Sequence, residues 1–147
     1  MLSKVRISFG ILALLALSAC SSTQVPTPTT VQLGITGAAN MNGGAPAKIK
    51  VYYLNSPAIF RSSDFFAVFN AAEETLGADL VTVDEFQLAP GRTVTDTASF
   101  NTAPAAIGVV AAFRDIDGAN FLAVKPLIPN TANPVQITVT GNTVTIR

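Results

Sequence analysis

From residue 31 to the C-terminus the chain alternates apolar and polar residues with a period of two, broken at short intervals by Gly, Pro or Asn. No other feature constrains the fold as much, because side chains alternate between faces only along a β-strand. Val31, Leu33 and Ile35 share one face while Gln32, Gly34 and Thr36 share the other. Ile49, Val51 and Tyr53 alternate with Lys48, Lys50 and Tyr52 in the same way. Further strands are expected at 83–88, at 92–100 after the turn Pro90-Gly91, and at 121–125 before Pro126. Residues 107–113 form a continuous apolar run, as expected of a strand covered on both faces. Val135, Ile137 and Val139 lead into Gly141-Asn142 and then Val144 and Ile146, the pattern of a hairpin with a two-residue turn. About eight short strands predict an all-β, antiparallel sandwich of two sheets spanning residues 31–147.

One segment breaks the pattern. Between Ser56 and Gly77, Phe65, Phe66, Val68 and Phe69 crowd together ahead of Ala71-Ala72-Glu73-Glu74-Thr75-Leu76. One or two short helices are expected here, capped by Ser63 or Asp64 and laid over an edge or end of the sandwich with the phenylalanines facing the core.

The N-terminus carries a different signal. Lys4 and Arg6 precede an apolar run from Ile7 to Leu17, and Leu17-Ser18-Ala19-Cys20 places the only cysteine where a bacterial lipoprotein precursor is cut. Residues 1–19 therefore read as a lipoprotein signal peptide, and Cys20 as the lipidated residue. The alternative is an ordinary signal peptide followed by a free thiol, a liability in an oxidising compartment. Several acyl chains together anchor a protein stably, whereas one is marginal. Ser21 and Ser22 stand where an Asp would signal retention at the inner membrane, which favours the outer membrane, periplasmic side. The following SSTQVPTPTT reads as an extended tether through residue 30.

Composition narrows the chemistry. The chain has no histidine and no tryptophan, so a Ser/His/Asp or Cys/His triad is excluded, as is a zinc site built on His. Nine basic residues balance nine acidic ones, and loss of the signal tips the remainder slightly acidic, which is no nucleic-acid footprint. Glu73-Glu74 and Asp84-Glu85 read as solvated surface, and Asp115-x-Asp117-Gly118 as a turn between strands rather than half a calcium loop. The expectation is no enzyme, no cofactor and no metal, and a monomer when the lipid is absent.

Five stretches then resemble a known family. They are Ile49-Lys50-Val51-Tyr52-Tyr53-Leu54, Phe60-x-x-x-Asp64-Phe65-Phe66, Leu76-Gly77-Ala78-Asp79-Leu80, Leu88-x-Pro90-Gly91 and Gly108-Val109-Val110-Ala111-Ala112-Phe113-Arg114-Asp115. In this order, behind a lipobox, they resemble the outer-membrane lipoproteins of the bacterial type VI secretion system, the TssJ or SciN-like family. The resemblance implies a transthyretin-like sandwich with a small helical addition. It also implies a scaffold that binds the periplasmic C-terminal part of the inner-membrane protein TssM and, through it, joins TssL in a trans-envelope complex. It ties partner binding to the loop between the first two strands, here Ala38, Ala39, Asn40, Met41, Asn42, Gly43 and Gly44 within residues 37–47.

A geometric argument reaches the same loop. If every connection reverses the strand direction, loops after odd-numbered strands collect at one pole, far from the tether. That pole receives residues 37–47, 89–91, 114–120 and 141–142, so Arg114, Asp115 and Asp117 become candidate rim charges for a partner. The Gly- and Asn-rich first loop is expected to be exposed and mobile, with Met41 as its apolar contact. A mere flexible connector explains its composition too. A periplasmic ligand-binding lipoprotein, or an inhibitor or chaperone acting through one loop, stays open as an alternative.

Overall fold

The computed structural model describes residues 20–147; the expected signal peptide, 1–19, lies outside the described residues. Cys20 is exposed and the segment that follows it stays irregular up to β1 (Thr29–Gly37). The remaining strands are β2 (Ala47–Leu54), β3 (Leu80–Leu88), β4 (Thr93–Phe100), β5 (Ala106–Ala111), β6 (Leu122–Pro126), β7 (Ala132–Thr140) and β8 (Thr143–Ile146). They form two four-stranded sheets, ordered β4-β1-β7-β8 and β3-β2-β5-β6. The expected two-sheet sandwich is present, with one departure from a wholly antiparallel design. β1 and β7 pair in parallel, from Thr30 opposite Ala132 to Gly37 opposite Val139. Both are odd-numbered strands running the same way, so neighbours of this kind can only be parallel.

β1 starts earlier than the alternation alone suggested. Thr29 already faces Phe100 of β4 and is buried, and its hydroxyl accepts the Asn130 N–H at 2.8 Å. Between the sheets lie Val31, Leu33 and Ile35 of β1, Val135, Ile137 and Val139 of β7, Ile49 and Val51 of β2, and Ile107 and Val109 of β5, all buried. Burying one such side chain contributes roughly 1.5–3 kcal/mol, which lets the sandwich dispense with disulfides.

The helical insert covers a face of the second sheet rather than an edge or end, and it contains three short helices: α1 (Ala58–Ser62), α2 (Phe65–Asn70) and α3 (Ala72–Leu76). The reason is β5, whose residues are buried on both faces and require a second cover. Phe60, Val68 and Leu76 pack on Tyr52, Leu54, Ala106 and Val110, forming a second core outside the sandwich. Gly108 admits the Phe60 ring, since a Cβ there would meet the ring carbons at 2.5 Å.

Asp64, rather than Ser63, caps α2: its Oδ1 accepts the Ala67 N–H at 3.0 Å. At the other end of α2, carbonyls without a helical partner are met from the sheet. The Tyr52 hydroxyl donates to the Val68 carbonyl at 2.8 Å and Lys50 Nζ to that of Phe69 at 2.7 Å. The phenylalanines do not all face inward. Phe60 is buried and Phe65 stacks on Phe69 at 4.9 Å, but Phe66 is 62% exposed.

Candidate partner-binding pole

The four loops that follow odd-numbered strands meet at one end of the sandwich, and backbone hydrogen bonds stitch them together. Gly37 N–H donates to the Arg92 carbonyl and Gly91 N–H to that of Gly37, both at 2.9 Å, tying the β3–β4 turn to the end of β1. Ala38 N–H reaches the Val139 carbonyl and Asn42 N–H the Gly141 carbonyl, each at 2.8 Å, so the first loop lies on the β7–β8 turn. Asn120 N–H donates to the Asn142 carbonyl at 2.9 Å, adding the β5–β6 loop.

Asn42 is the keystone. It is buried, takes a left-handed backbone conformation with φ 48°, and uses both ends of its amide. Its Nδ2 donates to the Pro46 carbonyl at 2.9 Å and its Oδ1 accepts the Arg114 N–H at 2.7 Å. An Asn is among the few non-glycine residues that tolerate this conformation.

Met41 corrects the sequence expectation. It is fully buried in the main core, with its sulfur above Gly37 where a Cβ would collide with it. A thioether on three rotatable bonds fills the irregular gap where the loop folds back over the sheet ends. The loop is thus a one-turn 3-10 segment (Met41–Gly44) pinned to the sandwich and offers the solvent neither Met41 nor the Asn42 side chain. Ala39, Asn40, Gly43 and Gly44 remain exposed, and Ala38 is half-buried. Gly43 and Gly44 need their glycines, with φ of 64° and 80°.

Arg114, Asp115 and Asp117 are all exposed on the β5–β6 loop. Arg114 and Asp115 join Asn42, Gly43 and Asn142 around a shallow hollow of about 150 Å³, while Asp117 stands outside it. Asn142 belongs to this surface, at the pole where strand parity placed its turn. A larger groove, about 940 Å³, runs along the flank between α2, α3 and β3, lined by Phe69, Glu73, Glu74, Val81, Val83 and Glu85 among others. There Lys50 binds Glu85 at 2.9 Å and lies 4.5 Å from the Phe69 ring centre, and Lys48 reaches Glu85 at 3.4 Å.

These features define a small two-sheet β-sandwich whose loops build one ordered pole, with a cysteine-bearing tail leading into β1. The chain belongs to the type VI secretion lipoprotein family (VasD, EvfM, TssJ), whose profile matches residues 29–142. The structure is similar to that of the type VI secretion lipoprotein TssJ1 of Pseudomonas aeruginosa, at 31% identity and a TM-score of 0.77, covering 82% of this chain and 95% of that one. It is similar to Lip of Serratia marcescens, a membrane-bound component of the type VI secretion system, at 27% identity and a TM-score of 0.74, over 82% and 96% of the two chains. A chain in a structure of the TssM C-terminal domain from EAEC also matches, at 26% identity and a TM-score of 0.66, over 80% of this chain and 97% of that one. No curated protein sequence matches significantly.

Proposed function

We propose that this lipoprotein tethers the periplasmic C-terminal domain of TssM to the outer membrane, as the lipid-anchored member of a trans-envelope complex that TssL joins through TssM. The observation that carries this reading is the separation of the two poles. Cys20 and its tail lead into β1 at one end, while the β1–β2 loop, Arg114 and Asp115 gather at the other. Three acyl chains on Cys20 hold the first pole at the bilayer, leaving the second free to engage a partner across the periplasm. Likeness to chains in structures of a TssM C-terminal domain and of a type VI membrane complex supports the partner assignment. Among the described residues no helix is long and apolar enough to cross a membrane.

The test is envelope fractionation of cells expressing the wild-type protein or Cys20→Ser, followed by capture of TssM. The proposal expects the wild type in the outer-membrane fraction with TssM attached. Cys20→Ser should leave that fraction yet still capture TssM. A Cys20→Ser protein that stays with the outer membrane contradicts the anchor.

A further inference from the structure

The end of the sandwich where the tail enters has a chemistry of its own. Strand ends and loops meet there through backbone bonds. Ala105 N–H donates to the Leu54 carbonyl at 2.8 Å, Leu127 N–H to that of Ala105 at 3.0 Å, and Thr30 N–H to that of Thr131 at 3.0 Å. At the point where the tail becomes β1, the Thr29 hydroxyl accepts the Asn130 N–H at 2.8 Å.

Charge is missing from these segments. Residues 20–30, 55–60, 101–105 and 126–134 contain no Asp, Glu, Lys or Arg, whereas the loops of the opposite pole carry Arg92, Arg114, Asp115 and Asp117. Asp79 meets this end through its carbonyl, which accepts the Asn55 N–H at 2.8 Å. Two basic residues border it, exposed Arg61 on α1 and half-buried Lys125 on β6, and these two elements pack together. Five large apolar side chains are exposed among the described residues, and three of them, Val25, Ile59 and Ile128, belong to the uncharged segments. An apolar cluster of this kind, rimmed by polar residues, marks an interaction surface.

Ile128 is held outward by a built support. Asn133 is buried, its Oδ1 accepts the Ile128 N–H at 2.8 Å, and its Nδ2 donates to the Ile128 carbonyl at 2.9 Å. The Ile128 side chain is nevertheless 66% exposed. Its loop also leaves no backbone donor dependent on water. Pro126 and Pro129 have no N–H, and those of Leu127, Ile128 and Asn130 are bonded within the fold. A loop built this way can enter a water-poor environment without orphaning a donor.

We propose that this pole lies against the phospholipid bilayer, with Ile128 and Ile59 at the boundary between headgroups and acyl chains and Arg61 and Lys125 beside the lipid phosphates. The inference rests on the anchoring through Cys20 proposed above and adds a direct contact between domain and lipid. The tail between Cys20 and Thr29, at about 3 Å per residue, keeps the pole within about 30 Å of the anchored cysteine. The bilayer is therefore the surface this end meets at high effective concentration, and a patch too weak to bind from solution suffices. Seated in this way, the domain points its opposite pole away from the membrane.

Cys20 is the only cysteine and is blocked once acylated, so a single introduced cysteine can carry a polarity-sensitive fluorophore. The lipoprotein is reconstituted into phosphatidylethanolamine–phosphatidylglycerol vesicles containing a lipid with a nitroxide high on its acyl chain. Labels are placed at Ile128→Cys, at Thr102→Cys on the exposed neighbouring loop, and at Ala39→Cys on the opposite pole. The proposal expects blue-shifted emission quenched by the nitroxide lipid at the first two positions and neither effect at the third. Adding Ile59→Asp and Ile128→Asp to the Thr102→Cys chain should abolish its quenching at unchanged melting temperature. Vesicle-bound protein whose Ile128→Cys label is quenched by aqueous iodide and not by the nitroxide lipid overturns the lipid contact and leaves the anchor standing. Quenching that survives both Asp substitutions, or a nitroxide-insensitive blue shift that grows with protein density and so marks a second copy, also overturns it. Protein that fails to float with the vesicles overturns the anchor and this inference together.

Discussion

The Asn42 side-chain oxygen accepts the backbone N–H of Arg114 at 2.7 Å, joining two loops that lie 72 residues apart in the chain. The same amide holds the Pro46 carbonyl, so one side chain fixes both the shape of the first loop and its position beside the charged one. Asn42→Ala removes both bonds and puts a poorly tolerated residue at φ 48°. It should cost about 1–3 kcal/mol in denaturant unfolding. An unchanged midpoint would show that the pole is not held together at this residue.

Met41 is buried and Ala39 exposed on the same loop, so the proposed partner contact can be separated from stability there. Met41→Ala empties a fully buried site and should cost about 2–5 kcal/mol. Ala39→Arg, on the exposed part of the same loop, should leave the melting temperature within a degree or two while weakening partner binding. Equal thermal losses in the two variants would mean that the loop does not divide in this way.

The helical cover depends on a close approach between Gly108 and Phe60. Gly108→Ala drives a methyl group into the Phe60 ring and should cost about 1–3 kcal/mol by overpacking. Tyr52→Phe gives up the bond to the Val68 carbonyl and should cost about 1 kcal/mol, read by thermal denaturation. Hydrogen exchange should then quicken in α1–α3 before it does in β1 and β7.

Two acids give opposite pH signatures. Burial, and then Asp96, hold the Asp84 carboxyl above its usual range, so the folded chain keeps that proton longer. The stability it contributes is complete below the unfolded value and lost as pH rises through the folded one. Glu85 runs the other way, because Lys50 and then Lys48 hold it below the usual range. Its contribution is present above the unfolded value and lost as pH falls through the folded one. Asp84→Asn should be more stable than wild type at neutral pH, with the advantage gone near about pH 3. A constant difference across that range would contradict the assignment.

The strands were legible because alternation is a local signal. Val135, Ile137 and Val139 with the Gly141-Asn142 turn specify β7 and β8 from sequence alone, and the apolar run ending at Phe113 specifies a doubly covered β5. Long-range partners were not legible. Met41 sits in a loop whose composition reads as exposed, and it is buried because Gly37 leaves room for it. The parallel pairing of β1 with β7 joins segments about a hundred residues apart, which no local pattern encodes. Phe66 shares its helix with inward-facing phenylalanines, and only the register of a six-residue helix turns it to solvent. Arg114 and Asp115 were placed at the pole by strand parity, and the structure brings them to Asn42; the side-chain bond that holds the loop there spans 72 residues, which no local pattern encodes.

The most direct measurement is a calorimetric titration of the detergent-solubilised protein with the periplasmic C-terminal domain of TssM from the same bacterium. The account predicts saturable binding that Ala39→Arg and Asp115→Arg weaken at unchanged melting temperature, and that Asp84→Asn leaves intact. Absence of binding with both proteins folded, or binding that neither pole substitution reduces, would contradict it.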